Sequence, residues 1–541
     1  MFGLMMNKPL LISSVLEHAA KYHGRTEIVS RTVEGPIHRY SYVDAQVRAK
    51  KLAQALNVLG AGGGDRVATL AWNGYRHYEL YYGVSGMGAV CHMINPRLFP
   101  GQISYIINHA EDSILFADLT FVPLLEEILQ DLRSIKAFVI MTDELHMPET
   151  DLPNIHCYET LLAGQTGNYD WPDLDENTAS SMCYSSGTTG KPKGVLYSHR
   201  STVLHALASV MPDMINISAR DSVMPVVPMF HVNGWGLPYS TTMVGAKLVM
   251  PGMQMDGENL HQLIESEGVS LSAGVPTVWL GLLDYLERSG KFVETLEYCL
   301  IGGSATPRAM SVELEEKYGV RVLHAWGMTE MSPLGTVNWP KYGMEGATDD
   351  ERYDRQIKQG RPCYGVDMKI VNDANETLPD DGEAFGELKV RGFWVCSEYY
   401  RGEGENHDTE GWFATGDVST IDPEGYMHVT DRSKDVIKSG GEWISSIELE
   451  NIAVGHPDVF EAAVIGVAHS KWDERPLLIV VRNEGSDVTA EELLTFYKGK
   501  VAKWWIPDDV VFAQELPHTA TGKLLKMELR DSYSGDKLVS G

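Results

Sequence analysis

Residues 184–194, YSSGTTGKPKG, constrain this chain more than any other stretch. These eleven residues hold three glycines, two serines, two threonines and two lysines. Residues 179–184 (ASSMCY) read as a short strand leading in, and residues 195–199 (VLYSH) begin the next element. Glycine lets backbone approach a ligand closely and reach positive φ. Hydroxyls and exposed N–H groups suit phosphate oxygens, and lysines add positive charge. The pattern predicts a phosphate-gripping loop made of Ser185, Ser186, Gly187, Thr188, Thr189, Gly190 and Lys193. It is not a Walker A loop, which needs G-x-x-x-x-G-K-[ST]. A glycine-rich surface turn would share the composition, but not Gly-Thr-Thr-Gly followed directly by Lys-Pro-Lys-Gly.

A chain of 541 residues is too long for one ordinary domain. It has no apolar run long enough to span a bilayer. The N-terminus is apolar but lacks a charged lead and a cleavage site. It runs into a predicted helix start at Ser14, with Glu17 completing a capping box. A net charge of −29 speaks against a nucleic-acid partner. Cys91, Cys157, Cys183, Cys299, Cys363 and Cys396 form no C-x-x-C pair. They read as free thiols of a cytoplasmic protein.

Along the chain, helical and strand-like stretches alternate over several hundred residues, which implies doubly wound, mostly parallel sheets. Residues 14–60 read as helix, strand, helix, with Val43, Val47, Leu52, Leu56 and Leu59 at helical spacing. The glycines of residues 60–65 (GAGGGD) follow a helix and leave G-x-G-x-x-G incomplete, so they read as a loop. Residues 342–358 are acidic and polar, a surface helix or excursion. After Gly360, short β-like runs split by turns suggest a small β subdomain. Mixed segments resume after Asp431. The predicted division is 1–431 and 432–541, with the boundary at the charged run 431–435 (DRSKD), a solvated linker by composition.

Several further strings sit where an α/β fold presents ligand sites, at the ends of strands. Residues 228–235 (PMFHVNGW) follow an apolar run and place His231, Val232 and Trp235 in a glycine-bearing loop. As an isolated pair, His231 and Trp235 would read as core packing. Gly302, Gly303, Ser304 and Ala305 close another apolar run, where backbone can approach a flat base. Residues 322–330 (VLHAWGMTE) bring His324, Ala325, Trp326, Gly327, Met328, Thr329 and Glu330 together after a third. Trp326 offers a flat face, and the Glu330 carboxylate suits Mg2+. Asp417 ends residues 412–417 (WFATGD) and could accept from a ribose diol or sit in a surface turn. Residues 437–444 (IKSGGEWI) and Lys523, in residues 517–524 (PHTATGKL), carry little meaning in isolation.

Taken together, these strings resemble the acyl-adenylate-forming superfamily, and the likeness runs from about residue 20 to residue 526. Within it, the chain is most similar to short- and medium-chain acid–CoA ligases. The resemblance implies a large N-terminal α/β domain of doubly wound mixed sheets with a small β subdomain, and a small, mobile α+β C-terminal domain turning about residues 431–435. It implies ATP and CoA as co-substrates, Mg2+ held by Ser185 and Glu330, and no nucleic-acid partner. A homodimer is a family expectation. The nucleotide site would comprise the phosphate loop, Gly302 to Ala305, His324 to Thr329, and Asp417 with Arg432 as the ribose clamp. His231, Val232, Trp235, Gly302, Gly327 and Pro333 would border the acid, with Leu237, Gly274, Val275, Pro276 and Thr277 beside them. Met229, Cys299 and Met328 are further pocket candidates. Catalytic roles would fall to Lys523, His231, Glu330 and Lys438, and Lys523 would reach the α-phosphate and the carboxylate. The CoA step would use Trp235, Lys438, Gly440, Gly441, Glu442 and Trp443. Many relatives carry Tyr at Trp326 and Thr at Ser185. The implied acid is 3-methylmercaptopropionate; hexanoate to decanoate are the alternative. An enzyme loading a carrier protein is a reading of another class.

Overall fold

Short, wholly buried runs build the frame. Val90–Met93, Ile114–Ala117 and Ala137–Ile140 are buried at every position, as strands covered by helices on both faces are. They lie in a seven-stranded sheet whose last two strands, Ala179–Tyr184 and Gly194–Ser198, pair antiparallel. The structure is a computed structural model describing residues 1, 3–185, 191–404, 407–439, 442–469, 471–518 and 524–533.

A second, nine-stranded sheet has a parallel centre: Lys247–Met250, Ser222–Pro225, Leu271–Gly274, Tyr298–Ile301 and Arg321–Gly327 in that order. Leu334–Val337 then pairs antiparallel with the last of these. The predicted β-rich segment is a four-stranded antiparallel sheet, Val366–Val371, Phe385–Gly392, Phe413–Ile421 and Met427–Arg432. Beyond it, Ile437–Ser439, Glu442–Ile444, Val459–His469, Asp473–Arg482 and Asp509–Phe512 make a five-stranded mixed sheet. Among the described residues, its two apolar clusters contain no residue before Ile437. No described helix is long and apolar enough to cross a membrane. All six cysteines are free.

The α/β architecture matches the expectation, while several local readings do not. The first helix is Ile12–Tyr22 and carries no side-chain cap. It starts before Ser14 because the Ile12 N–H donates to His199 Nδ1 at 3.2 Å, a tertiary contact 187 residues away. The single predicted strand before the second helix is a hairpin, Glu27–Arg31 with Ile37–Ser41. In Tyr42–Val58 the buried residues are Tyr42, Ala45, Ala49, Leu52, Ala53, Ala55 and Leu56. Val43 and Val47 face solvent, because alanines let the neighbouring helix approach on the other side. The charged run at 431–435 is not a solvated linker throughout. Asp431 is fully buried and accepts from the Ser446 N–H at 2.6 Å and the Ser446 hydroxyl at 2.7 Å.

Burial also leaves several imidazoles neutral. It pushes His77, His199, His324 and His428 down to about 4, and His205 to about 3. In the unfolded chain these rings titrate near 6.5, so the unfolded state binds more protons below that pH. The associated stability is complete above about pH 6.5 and is lost as pH falls toward 4. The rings thus favour a lower thermal midpoint at pH 5 than at pH 7, while the buried carboxyls of Asp118 and Glu450, raised to about 7, act in the opposite sense. The check is NMR titration, in which these five rings should stay neutral at pH 5; a ring protonated there would contradict the assignment.

Candidate functional site

The C-terminal ends of the parallel strands in the nine-stranded sheet converge on one region. After Ser222–Pro225 the chain enters a turn in which five consecutive residues take left-handed φ: Val232 39°, Asn233 45°, Gly234 57°, Trp235 54° and Gly236 72°. A β-branched residue there is strained, and the surroundings must over-determine it. They do. Asn73 donates to Pro225 O at 2.8 Å and Val227 O at 2.9 Å, and accepts from the Met229 N–H at 2.7 Å. Asn233 donates to Ser181 Oγ at 3.1 Å and accepts from Cys183 Sγ at 3.1 Å. Gly236 lies against the buried His205 ring, where a Cβ would come within 2.4 Å. His205 Nε2 accepts from the Leu334 N–H at 3.1 Å, so one neutral ring ties this turn to the Pro333 segment. His231, half-buried, caps the turn and accepts through its carbonyl from the Gly234 N–H at 3.1 Å.

This turn lays Trp235 across the glycines that end Tyr298–Ile301. A Cβ on Gly302 would sit 3.2 Å from the Trp235 indole and 2.9 Å from Ala325 O; one on Gly303 would meet Val275 at 3.2 Å. At Gly302 the close approach is of the protein's own atoms, Ala325 O and the Trp235 indole. Gly274 is filled from below by the buried Trp279, whose Nε1–H donates to Gly274 O at 3.3 Å. Pro276 and Leu237 are buried, and Thr277 is exposed. Gly303 and Ser304 are open to solvent, and Ala305 is half-buried. Cys299 and Met229 lie wholly within the packed core, the former in the cluster around Trp279 and not at the surface of the turn.

In Arg321–Gly327, His324 is buried with Nδ1 3.3 Å from Gln356 O. Gly327 faces Pro333, whose carbonyl would lie 2.2 Å from a Cβ, and Met328 N–H donates to that carbonyl at 3.1 Å. Trp326 packs flat on Gly335 and donates its indole N–H to Asp417 Oδ2 at 2.9 Å. Asp417 is not in a surface turn. It sits within Phe413–Ile421, 1 % exposed, opposite Arg432 in the ladder, and its Oδ1 lies 2.9 Å from Arg432 Nε. One carboxylate thus joins the aromatic face to a guanidinium.

The third cluster surrounds the phosphate-loop stems. The Ser185 N–H donates to Lys193 O at 2.9 Å, and the Lys193 N–H to Ser185 Oγ at 3.2 Å. Lys193 Nζ stands 4.7 Å over the Tyr399 ring, whose hydroxyl donates to Glu330 Oε1 at 2.6 Å. Burial beside Glu330 raises the Tyr399 hydroxyl far above its usual range, keeping it a donor. Thr329, also buried, is fixed through its carbonyl by the Tyr197 hydroxyl at 2.6 Å. Among the described residues no group of three His, Cys, Asp or Glu could enclose a metal. Glu330 Oε2 and Ser185 Oγ are hard oxygen donors that suit Mg2+ completed by substrate oxygens and water.

Ser186, Gly187, Thr188, Thr189, Gly190, Gly440, Gly441 and Lys523 lie outside the described residues. Lys438 is carried on Ile437–Ser439 in the C-terminal sheet, its N–H donating to Glu474 at 2.9 Å; Glu442–Ile444, with Glu442 and Trp443, is the neighbouring strand. Asn73, Asn233, His205 and Tyr399 were not singled out from sequence. Only Asn233 carried a signal, as asparagine tolerates left-handed φ.

Residues 15–400 match the family model of the AMP-binding enzyme, and residues 448–523 that of the AMP-binding enzyme C-terminal domain. A 3-methylmercaptopropionyl-CoA ligase of Ruegeria lacuscaerulensis is 54% identical over 98% of this chain and 99% of its own. A medium-chain-fatty-acid–CoA ligase of Ectopseudomonas oleovorans is 52% identical over 100% and 98%. Among solved structures, an anthranilate CoA ligase in complex with anthranoyl-AMP superposes with a TM-score of 0.86 at 25% identity, covering 97% of this chain and 98% of that one.

Proposed function

This chain belongs to the AMP-binding enzyme family, and from that premise we propose that it joins 3-methylmercaptopropionate to CoA. It is an AMP-forming acid–CoA ligase with ATP and CoA as co-substrates, working through an acyl-adenylate. The observation that carries the choice of acid is the 54% identity, end to end, with a ligase of that substrate. Trp235 lying across Gly302 and Trp279 filling the space under Gly274 favour a short acid. The equally full-length likeness to a medium-chain ligase supports hexanoate to decanoate as the second reading.

The chemistry needs no protein nucleophile. The carboxylate oxygen attacks the α-phosphorus, a P–O bond forms, and pyrophosphate leaves with its electron pair. The CoA sulfur then attacks the acyl carbon, its proton passes to solvent, and AMP leaves. In our reading the phosphate-loop residues with Lys193 hold the triphosphate, and Gly302 to Ala305 with Trp326 hold adenine. Asp417 and Arg432 take the ribose hydroxyls. His231, Val232, Gly327 and Pro333 border the carboxylate. Ser185 and Glu330 would hold Mg2+, which supplies charge neutralisation between two anions. Lys523 adds an ammonium to the same end.

The separate apolar clusters beyond Ile437 support a C-terminal domain, 432–541, turning about 431–435 between the two steps. The turn would exchange Lys523 for Lys438, Gly440, Gly441, Glu442 and Trp443, with Trp235 clearing the path for the thiol. We place the enzyme in the cytoplasm, on its free thiols. Exposed Leu4, Met5 and Met6 offer apolar surface that a second copy would cover in a homodimer.

An acid panel from acetate to palmitate, with 3-methylmercaptopropionate, tests the reading by CoA-dependent AMP formation. The highest kcat/KM is expected for 3-methylmercaptopropionate. A higher value for hexanoate to decanoate would reassign the acid; no AMP with any acid would remove the ligase reading.

A further inference from the structure

Behind the phosphate-loop stems lies a hydrogen-bonded chain that none of the assigned roles uses. Tyr184 is the last residue of the strand entering the loop and pairs across the ladder with Gly194, the first residue leaving it. Its hydroxyl lies 2.7 Å from His109 Nδ1, and His109 Nε2 lies 3.2 Å from Glu403. His109 belongs to the helix Pro100–Ala110 and its side chain is only 10% exposed; its ring stacks on Tyr105 and meets Tyr400 edge-on. Next to Glu403, Gly404 takes φ 98° and presses against Lys193, whose Nζ would lie 2.5 Å from a Cβ there. A second tie, Arg401 to Glu111 at 2.7 Å, fastens the same segment to the end of the same helix.

We propose that Tyr184, His109 and Glu403 form a positioning relay that sets Lys193 and the loop stems for the triphosphate. The His109 ring bridges the two: Nδ1 shares a hydrogen bond with the Tyr184 hydroxyl, and Nε2–H donates to the Glu403 carboxylate. Glu403, held there, keeps Gly404 beneath Lys193 Nζ. The seat of the lysine is therefore set through the helix Pro100–Ala110, whose Tyr105 ring also lies 5.1 Å from Lys191 Nζ at the end of the loop. The relay links the seven-stranded sheet, which carries the loop, to the segment leading into Phe413–Ile421, which carries Asp417. Triphosphate and ribose contacts are thereby held at a constant separation.

The inference rests on the assignment of Lys193 to the triphosphate. The test uses the full-length enzyme with Tyr184→Phe, His109→Gln, Glu403→Ala and the Tyr184→Phe/His109→Gln double variant. KM for MgATP in acid-dependent pyrophosphate exchange should rise about fivefold in each single variant, the loss of one hydrogen bond. KM for the acid, and the rate of preformed acyl-adenylate with CoA, should stay within about twofold of wild type. The double variant should lose no more than the worse single one, since a broken chain cannot be broken twice. An unchanged KM for MgATP in Tyr184→Phe, which removes one oxygen and keeps the ring, would overturn the relay. So would equal rises for ATP and acid, the pattern of general loosening. If His109→Gln melts early, Tyr184→Phe and Glu403→Ala decide. Lys193→Ala separates the two layers: if it leaves KM for MgATP unchanged, the lysine assignment has failed, whatever the relay variants show.

Discussion

Lys523→Ala is expected to slow acid-dependent pyrophosphate release by about 10²–10³-fold while leaving the reaction of preformed acyl-adenylate with CoA within a few-fold of wild type. The reason is electrostatic. In adenylation a carboxylate must approach a polyphosphate, and both carry negative charge. If Lys523 supplies an ammonium between them, it acts where that repulsion is greatest, in the transition state, and not on either separated reactant. In thioester formation the attacking group is a thiol and the leaving group a single phosphate ester, so the same charge matters less. Measuring both half-reactions on one preparation checks the division. Comparable losses in the two would mean that Lys523 serves the fold or both steps alike.

Glu330→Gln should lower adenylation by about 10²-fold with the thermal midpoint preserved. The buried Tyr399 hydroxyl donates to Glu330 Oε1 at 2.6 Å, and a glutamine carbonyl can accept the same bond. The substitution therefore removes charge and little else. If Glu330 neutralises the nucleotide assembly through a cation, raising MgCl2 should recover part of the rate in the variant, as mass action compensates a weakened site. A variant with wild-type turnover at low MgCl2 would rule the carboxylate out of that role. A variant that melts well below wild type would instead assign Glu330 to the Tyr399 contact.

How far the site can be read without coordinates differs by residue type. Glycine strings were legible because a missing side chain has few explanations. Gly302 stands where a Cβ would collide with Ala325 O, and Gly327 where one would collide with Pro333 O. Buried four-residue runs such as Ile114–Ala117 were legible for the same economy, since a continuous apolar stretch between turns has few places to go. Asp417 was the opposite case. Its tripeptide looked like a turn, and only the pairing of Phe413–Ile421 with Met427–Arg432 turns it inward to meet both Trp326 and Arg432. Tyr399 and His205 gave no signal at all, because each acts on a residue far away in the chain: 69 residues to Glu330 and 129 to Leu334.

The linear order of residues determined the α/β class, the strand-then-glycine pattern of the ligand loops and the membership of the family. These depend on period, local backbone freedom and the identity of consecutive residues, all of which are present before folding. The tertiary structure alone decided which charges pair, which face of Tyr42–Val58 is buried, and how five consecutive left-handed residues, Trp235 among them, are held. Those outcomes depend on contacts between segments tens to hundreds of residues apart. A side chain's partner across such a gap is set by sheet register and helix packing, and neither is written in its neighbours.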